Sequence, residues 1–214
     1  MSESSISKST LFRLPVYLNY LKSFHGDTPS HISATAIADA LELNDVQVRK
    51  DLASVSSSGK PKIGYSTDEL IKELESFLGC NNTNSAIIVG AGKLGRALMG
   101  YNGFREYGMK IRMAFDNDQK LISENESIMP LHRLKEYCKK TNTKIGIITV
   151  PAEYAQQVCD LLVESGVLAI WNFSPTHLTV PEGIILQNEN IAVSLAVLSN
   201  QLTQKIKKDN NQVK

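Results

Sequence analysis

The sequence predicts an α/β protein in which a winged helix-turn-helix unit precedes a doubly wound, Rossmann-type parallel sheet. Three observations carry this. Ser85-Ala86-Ile87-Ile88-Val89-Gly90-Ala91-Gly92-Lys93-Leu94-Gly95 reads as a buried strand turning sharply into a helix, with glycines at dinucleotide-fingerprint spacing. From there to residue 186, short apolar runs alternate with helical patterns, as crossover helices on a parallel sheet require. Ahead of this stretch, residues 11–55 carry apolar side chains at helical spacing, interrupted by short turns.

Leu11, Leu14, Tyr17, Leu18 and Leu21 form the apolar stripe of a first helix reaching Phe24. Pro15 suits it if the helix starts near residues 12–14. His25-Gly26-Asp27-Thr28-Pro29 reads as a loop. Ser33 caps a second helix, with Ala36, Ile37, Ala40 and Leu41 turned inward. After a tight turn at Glu42-Leu43, Asn44 opens a third helix with Gln47 at the capping-box position. Val46, Val48, Leu52 and Val55 supply its apolar faces, while Gln47, Arg49 and Lys50 lie partly outside. Two short helices across a tight turn make a helix-turn-helix. Ser56 to Tyr65, rich in serine, glycine and lysine, reads as a wing, and Thr67 starts another helix running through Leu70, Ile71, Leu74 and Phe77 to Gly79.

In the second half, strands are expected at 87–89, 111–115, 145–150, 168–170 and 184–186. Helices are expected over 94–99, over 131–138 and after Pro151. The last helix, from Ile191 to about Ile206, is strongly apolar at first, and no strand follows it. It packs either on its own sheet or on a second subunit. The domain limits are 1–80, 81–190 and 191–214.

The glycine turn is the strongest candidate site. Gly90 permits the tight turn, Gly92 lets the backbone approach a pyrophosphate, and Gly95 lets helix and strand pack closely. Ala91, Lys93 and Leu94 complete the loop, whose phosphates sit on a helix N-terminus. Asp116, 26 positions after Gly90, suits a ribose hydroxyl. Its charge would repel a 2′-phosphate, which favours NAD over NADP. Thr149, Val150 and Pro151 form one wall. In the first unit, Arg49 and Lys50 on the third helix and Lys60 and Lys62 on the wing suit phosphates, while Gln47 or Arg49 can read base edges.

Charge restricts these readings. The 214 residues hold 23 basic and 22 acidic side chains, and the first 65 hold seven basic and six acidic, so any nucleic-acid contact depends on local placement. Cys80, Cys138 and Cys159 lack metal-ligand spacing, and His25, His31, His132 and His177 are scattered, so no metal site is expected. Odd, separated cysteines suit a reducing cytoplasm. The polar start lacks the features of a signal peptide, and no apolar run is long enough for a bilayer. Neither His132 nor His177 belongs to a recognisable acid–base set, so the nicotinamide is expected to be bound but not used. A small NAD-dependent oxidoreductase is the alternative, and an NAD-binding protein that takes no DNA is a third.

Several motifs, in order, resemble the family of redox-sensing transcriptional repressors called Rex. They are Arg13-Leu14-Pro15-Val16-Tyr17-Leu18, Gln47-Val48-Arg49-Lys50-Asp51-Leu52, Gly59-Lys60 with Gly64-Tyr65, Val89 to Leu98, Tyr101-Asn102-Gly103-Phe104, Phe115-Asp116, Val150-Pro151-Ala152 and Asn172-Phe173-Ser174-Pro175. The resemblance implies a homodimer with the last helix exchanged between subunits, bound to palindromic operator DNA and released by NADH in competition with NAD⁺. It places Arg49 and Lys50 on the recognition helix and Lys60 to Tyr65 on the wing. Tyr101 and Phe173 fall at the nucleotide site, Tyr101 near the nicotinamide, and Arg13 belongs to a relay. Two departures stand out. Asn190 replaces the aspartate expected to pair with Arg13, so the NADH response is expected to be either altered or carried by Glu189. Val55-Ser56-Ser57-Ser58 replaces a phenylalanine-rich wing entry, which predicts a looser wing.

Overall fold

The computed structural model describes residues 6–24, 28–82 and 84–212, so His25, Gly26 and Asp27 of the expected loop lie outside it. The chain forms two compact units. The first gathers the described residues up to 82 together with Gly103–Met109, and the second joins Asn84–Asn102 to Lys110 and onward.

The first unit begins with α1 (Lys8–Lys22), whose N-cap Ser7 accepts a hydrogen bond from the Thr10 amide. The helix therefore starts earlier than expected and carries Pro15 in its interior. The cost of the missing N–H is offset by the burial of Leu14, Tyr17, Leu18 and Leu21. β1 (His31–Ile32) leads to α2 (Ala34–Ala40), capped by Ser33 as expected. Ala36 and Ala40 face outward, and Ala34, Ile37 and Ala38 are the buried positions. Glu42, in the left-handed region at φ 54°, makes the tight turn. α3 (Asp45–Ala53) follows with Asn44 as its cap. β2 (Tyr65–Ser66) pairs antiparallel with β1, and α4 (Thr67–Leu78) ends at left-handed Gly79. Val48, Leu52, Leu70 and Leu74 complete a core with the α1 stripe, while Val46 and Phe77 are exposed.

The second unit opens with β3 (Asn84–Val89) and α5 (Lys93–Gly100). A 3-10 turn over Asn102–Tyr107 leads into β4 (Met109–Asp116). Then come α6 (Gln119–Glu124), β5 (Ile128–Pro130), α7 (Leu134–Thr141), β6 (Ile145–Ile148), α8 (Ala152–Glu164), β7 (Ala169–Asn172), β8 (Ile185–Asn188) and α9 (Ile191–Gln212). The strand order is β5-β4-β3-β6-β7-β8, and β6 pairs in parallel with both β3 and β7. The chain thus runs outward from β3 in one direction and, after crossing back to β6, outward in the other. The crevice beyond the ends of β3 and β6 is the switch point where such sheets bind ligands. Ile87, Val89, Phe115, Leu134, Ile148 and Leu162 fill the core beside it.

Two details differ from expectation, and a third bears on an open alternative. α6 and β5 form in a stretch whose polar composition hid them. The strand expected over 145–150 ends at Ile148, which releases Thr149–Pro151 into the crevice loop. The last helix does not pack on its own sheet: Ile191, Val193, Leu195, Val197, Leu198, Leu202 and Ile206 are each 50–67 % exposed.

Candidate functional site

The cleft at the switch point has a volume of about 660 Å³. Gly90 (φ 102°) makes the turn, and a Cβ there would lie 2.9 Å from the Thr149 carbonyl carbon. A Cβ on Gly95 would lie 2.0 Å from the Gly90 carbonyl oxygen, so α5 sits against the turn at a distance that only glycine permits. A Cβ on Gly92 would meet nothing within 4 Å, so the space there opens away from the protein. The Thr149 hydroxyl ties the walls together by donating to the Gly90 carbonyl at 2.7 Å. The amide of Arg96 is bonded to the Gly92 carbonyl, which leaves the N–H groups of α5's first turn without intrahelical acceptors.

Asp116 ends β4 at the rim. One carboxylate oxygen accepts from the Ala91 amide at 2.6 Å, and the other from the Asn117 and Asp118 amides at 2.7 and 3.0 Å. Its orientation is therefore set by backbone. Gly90, Gly92, Asp116, Thr149, Val150 and Pro151 line the cleft; Ala91, Lys93, Leu94 and Gly95 build its floor and helix start without lining it. Tyr101 caps the far end of α5 and is exposed, and Phe173 packs on Trp171 with ring centroids 4.5 Å apart; neither lines the cleft. The sequence reading missed Tyr154, Gln157, Val158 and Leu161 as the opposite wall. Their spacing on α8 marks a single helix face, a pattern that a core face shares.

In the first unit, the side chains of α3 point two ways. Arg49 and Lys50 are exposed, and Arg49 makes a surface ion pair with Asp45 at 3.3 Å, which it can leave at little cost. Arg49, Lys60 and Lys62 line one hollow of about 470 Å³ together with Ser33 and Thr35. Tyr65 is only 8 % exposed, with its ring over Gly59, so it anchors the wing from within; burial pushes its hydroxyl pKa up. The wing closes through paired hydrogen bonds between Lys60 and Gly64, both 2.9 Å.

Asp51, on the inner side of α3, is 2 % exposed. Arg13 grips it twice, at 2.6 and 2.9 Å, and it also accepts from Thr10, Tyr17 and Gln47 at 3.0, 2.8 and 2.9 Å. Burial alone would raise its pKa. The bonds from Arg13, Tyr17, Gln47 and Thr10 outweigh that and hold it at about 2. Burial and the adjoining carboxylate push Tyr17 up to about 12. Gln47 therefore does not close the capping box, because its amide is turned to Asp51.

Two family models match: one described as "CoA binding domain" over residues 81–176, and one described as "Putative DNA-binding protein N-terminus" over residues 5–53. The redox-sensing transcriptional repressor Rex of Treponema denticola is 41 % identical over 196 residues, covering 90 % of this chain and 93 % of that protein. The Rex of Carboxydothermus hydrogenoformans is 41 % identical over 203 residues, covering 93 % and 97 %. The chain belongs to the Rex family of redox-sensing transcriptional repressors. Among solved structures, RSP in complex with β-NAD⁺ and operator DNA matches with a TM-score of 0.87 at 30 % identity, covering 99 % of both chains. RSP in complex with β-NADH matches with a TM-score of 0.86 at 30 % identity, covering 97 % of this chain and 99 % of that one.

The two departures from the Rex pattern have local answers here. Arg13 takes Asp51 as its partner, and Asn190 caps α9 by accepting from the Val193 amide at 3.1 Å. Glu189 is engaged by the Trp171 indole N–H at 3.1 Å. The serine-rich wing entry is tied rather than loose. Ser56 is buried and bonded to Ser58, whose hydroxyl donates to Glu73 of α4 at 3.0 Å. Among the described residues no group of His, Cys, Asp and Glu could hold a metal, and no helix is long and apolar enough to cross a membrane.

Proposed function

We propose that the chain is a redox-sensing repressor: a homodimer that holds a palindromic operator and releases it when NADH occupies the switch-point cleft. The observation that carries this is one chain bearing both a glycine-built cleft rimmed by a fixed carboxylate and a basic helix-turn-helix with its wing. RSP, similar along its whole length, has been solved with β-NAD⁺ and operator DNA and with β-NADH. The N–H groups at the start of α5 receive the diphosphate, and the opening at Gly92 admits it. Asp116, already oriented, accepts from a ribose hydroxyl and disfavours a 2′-phosphate. When bound, NADH supplies an uncharged ring where NAD⁺ brings a cation that is costly to desolvate. Arg49, Lys50, Lys60 and Lys62 meet phosphates, and Gln47 or Arg49 meets base edges.

The exposed apolar residues of α9 support the dimer, because a second copy can cover a surface that the chain leaves in water. We assign α9 to exchange between subunits, with limits of 1–80, 81–190 and 191–214 for head, nucleotide domain and exchanged helix, and we place the protein's action in the cytoplasm, beside its operator. Against the oxidoreductase alternative, the one carboxylate that lines the cleft among the described residues is held in place by three backbone amides rather than set beside an acid–base partner.

The test is operator selection from random duplexes followed by NADH titration. NADH should weaken operator binding at least ~10-fold, and operator should weaken NADH binding by the same factor. Equal NADH affinity with and without operator rejects the reading.

A further inference from the structure

We propose that Asp51 is a positioning residue that sets the base preference of this protein by fixing which way the Gln47 side-chain amide faces. The inference rests on the DNA-reading role proposed above and adds which base edge the head selects.

A glutamine on a reading helix is ambiguous, because its amide can turn either its oxygen or its nitrogen outward. Gln47 is exposed on α3, one turn before Asp51, and its Nε2 donates to Asp51 Oδ1 at 2.9 Å. Asp51 can only accept there. Its other bonds come from Arg13, Tyr17 and Thr10, all donors, and these keep it ionised. The reverse orientation of Gln47 would set its carbonyl oxygen against a carboxylate oxygen with no proton between them. One amide hydrogen is thus committed to Asp51, and the carbonyl oxygen is turned away from it. What Gln47 has left to offer is an acceptor and one adjacent donor. That pair matches the adenine edge, which shows an N6 amino donor beside the N7 acceptor; guanine shows two acceptors at the same place. Arg13 and Tyr17 contribute from α1 by keeping the carboxylate buried and oriented.

The experiment is operator selection with the full-length wild-type chain, Gln47→Ala, Asp51→Asn and the double variant, with deep sequencing of the bound pools. Asparagine keeps the shape of Asp51 but offers Gln47 either a donor or an acceptor. The wild type should prefer adenine at one position of each half-site by ~10-fold or more. Gln47→Ala and Asp51→Asn should flatten that same position to below ~3-fold, and the double variant should be no flatter than Gln47→Ala. A purely structural role for Asp51 would instead weaken binding evenly across all sequences and leave the preference intact. That result overturns the proposal, as does a preference for guanine at the Gln47-dependent position. Failure of the wild type to select any sequence removes the DNA-reading role itself, and is distinguished by the absence of a motif altogether. A second measurement needs no Asp51 variant. In the wild-type protein one Gln47 Nε2 proton should be protected from solvent exchange and shifted from free-amide values by NMR, and a solvent-like, freely exchanging pair overturns the proposal.

Discussion

In the first unit five hydrogen bonds converge on one buried carboxylate, and the working surface is defined by which donors that carboxylate commits. In the second unit the working surface is defined by side chains that are missing: at Gly90 and Gly95 a single carbon would collide with backbone or with Thr149. One region is specified by donors converging on a charge, most of them 34 to 41 residues away in sequence, the other by backbone packed too closely for a side chain, within the turn and against Thr149 59 residues on. The two should therefore fail differently. Loss of a donor in the first costs stability first, whereas an added methyl in the second costs ligand binding first.

The largest expected effect lies in the glycine turn and separates two glycines that look alike in sequence. Gly95→Ala forces α5 away from the Gly90 carbonyl, an overpacking strain of ~1–3 kcal/mol, and should weaken NADH binding ~10- to 100-fold or more. Gly92→Ala meets no protein atom, so it should leave thermal stability within ~0.5 kcal/mol of wild type while still obstructing the diphosphate. Calorimetric titration with NADH beside a thermal melt checks both. Equal melts and equal affinities for the two variants would break the contrast.

Next comes Asp51→Ala, which takes from Arg13 its carboxylate partner and should destabilise the first unit by ~2 kcal/mol. The wild type provides an independent reading through acid. The carboxylate sits at about 2 in the folded chain against an ordinary 3.8. A depressed pKa means that its contribution, ~2 kcal/mol, is complete above the ordinary value and is lost as pH falls through the folded one. Asp51→Ala should lack this loss. Identical acid-unfolding curves from pH 4 to 2 would show that the network contributes nothing to stability.

The same contrast explains what could be read from the chain before folding. The glycine turn was legible because glycine spacing encodes backbone geometry directly, and Ser33 and Asn44 were legible because caps are local. Asp51 was not, since its partners Arg13 and Tyr17 come from another helix. The one available sign was its place beside Val48 and Leu52 on the inward side of α3, where an acid needs a donor. The cleft wall on α8 was visible as an apolar face, but the pattern alone does not say whether such a face meets core or ligand. The early start of α1 had a local sign in Ser7, whose side chain accepts from the Thr10 amide, but Pro15 in the helix interior argued for a later start.

The smallest expected effect is at the wing tip. Pro61 and Lys62 occupy the centre of a turn closed by the Ile63 amide bonding the Lys60 carbonyl at 3.2 Å. Lys62 takes φ 64°, a conformation that favours glycine, at a cost of ~1 kcal/mol. In the proposed reading its charge meets a phosphate from the tip of that turn. Lys62→Gly removes the backbone strain but loosens the unfolded chain by a similar amount, so stability should change by less than ~1 kcal/mol. Operator affinity should nevertheless fall, evenly for all sequences, with the slope of log affinity against log salt reduced by about one. This separates wing from reading helix: Lys62→Gly shifts every duplex alike, whereas Asp51→Asn redistributes preference among duplexes. An unchanged salt slope would take Lys62 off the phosphates.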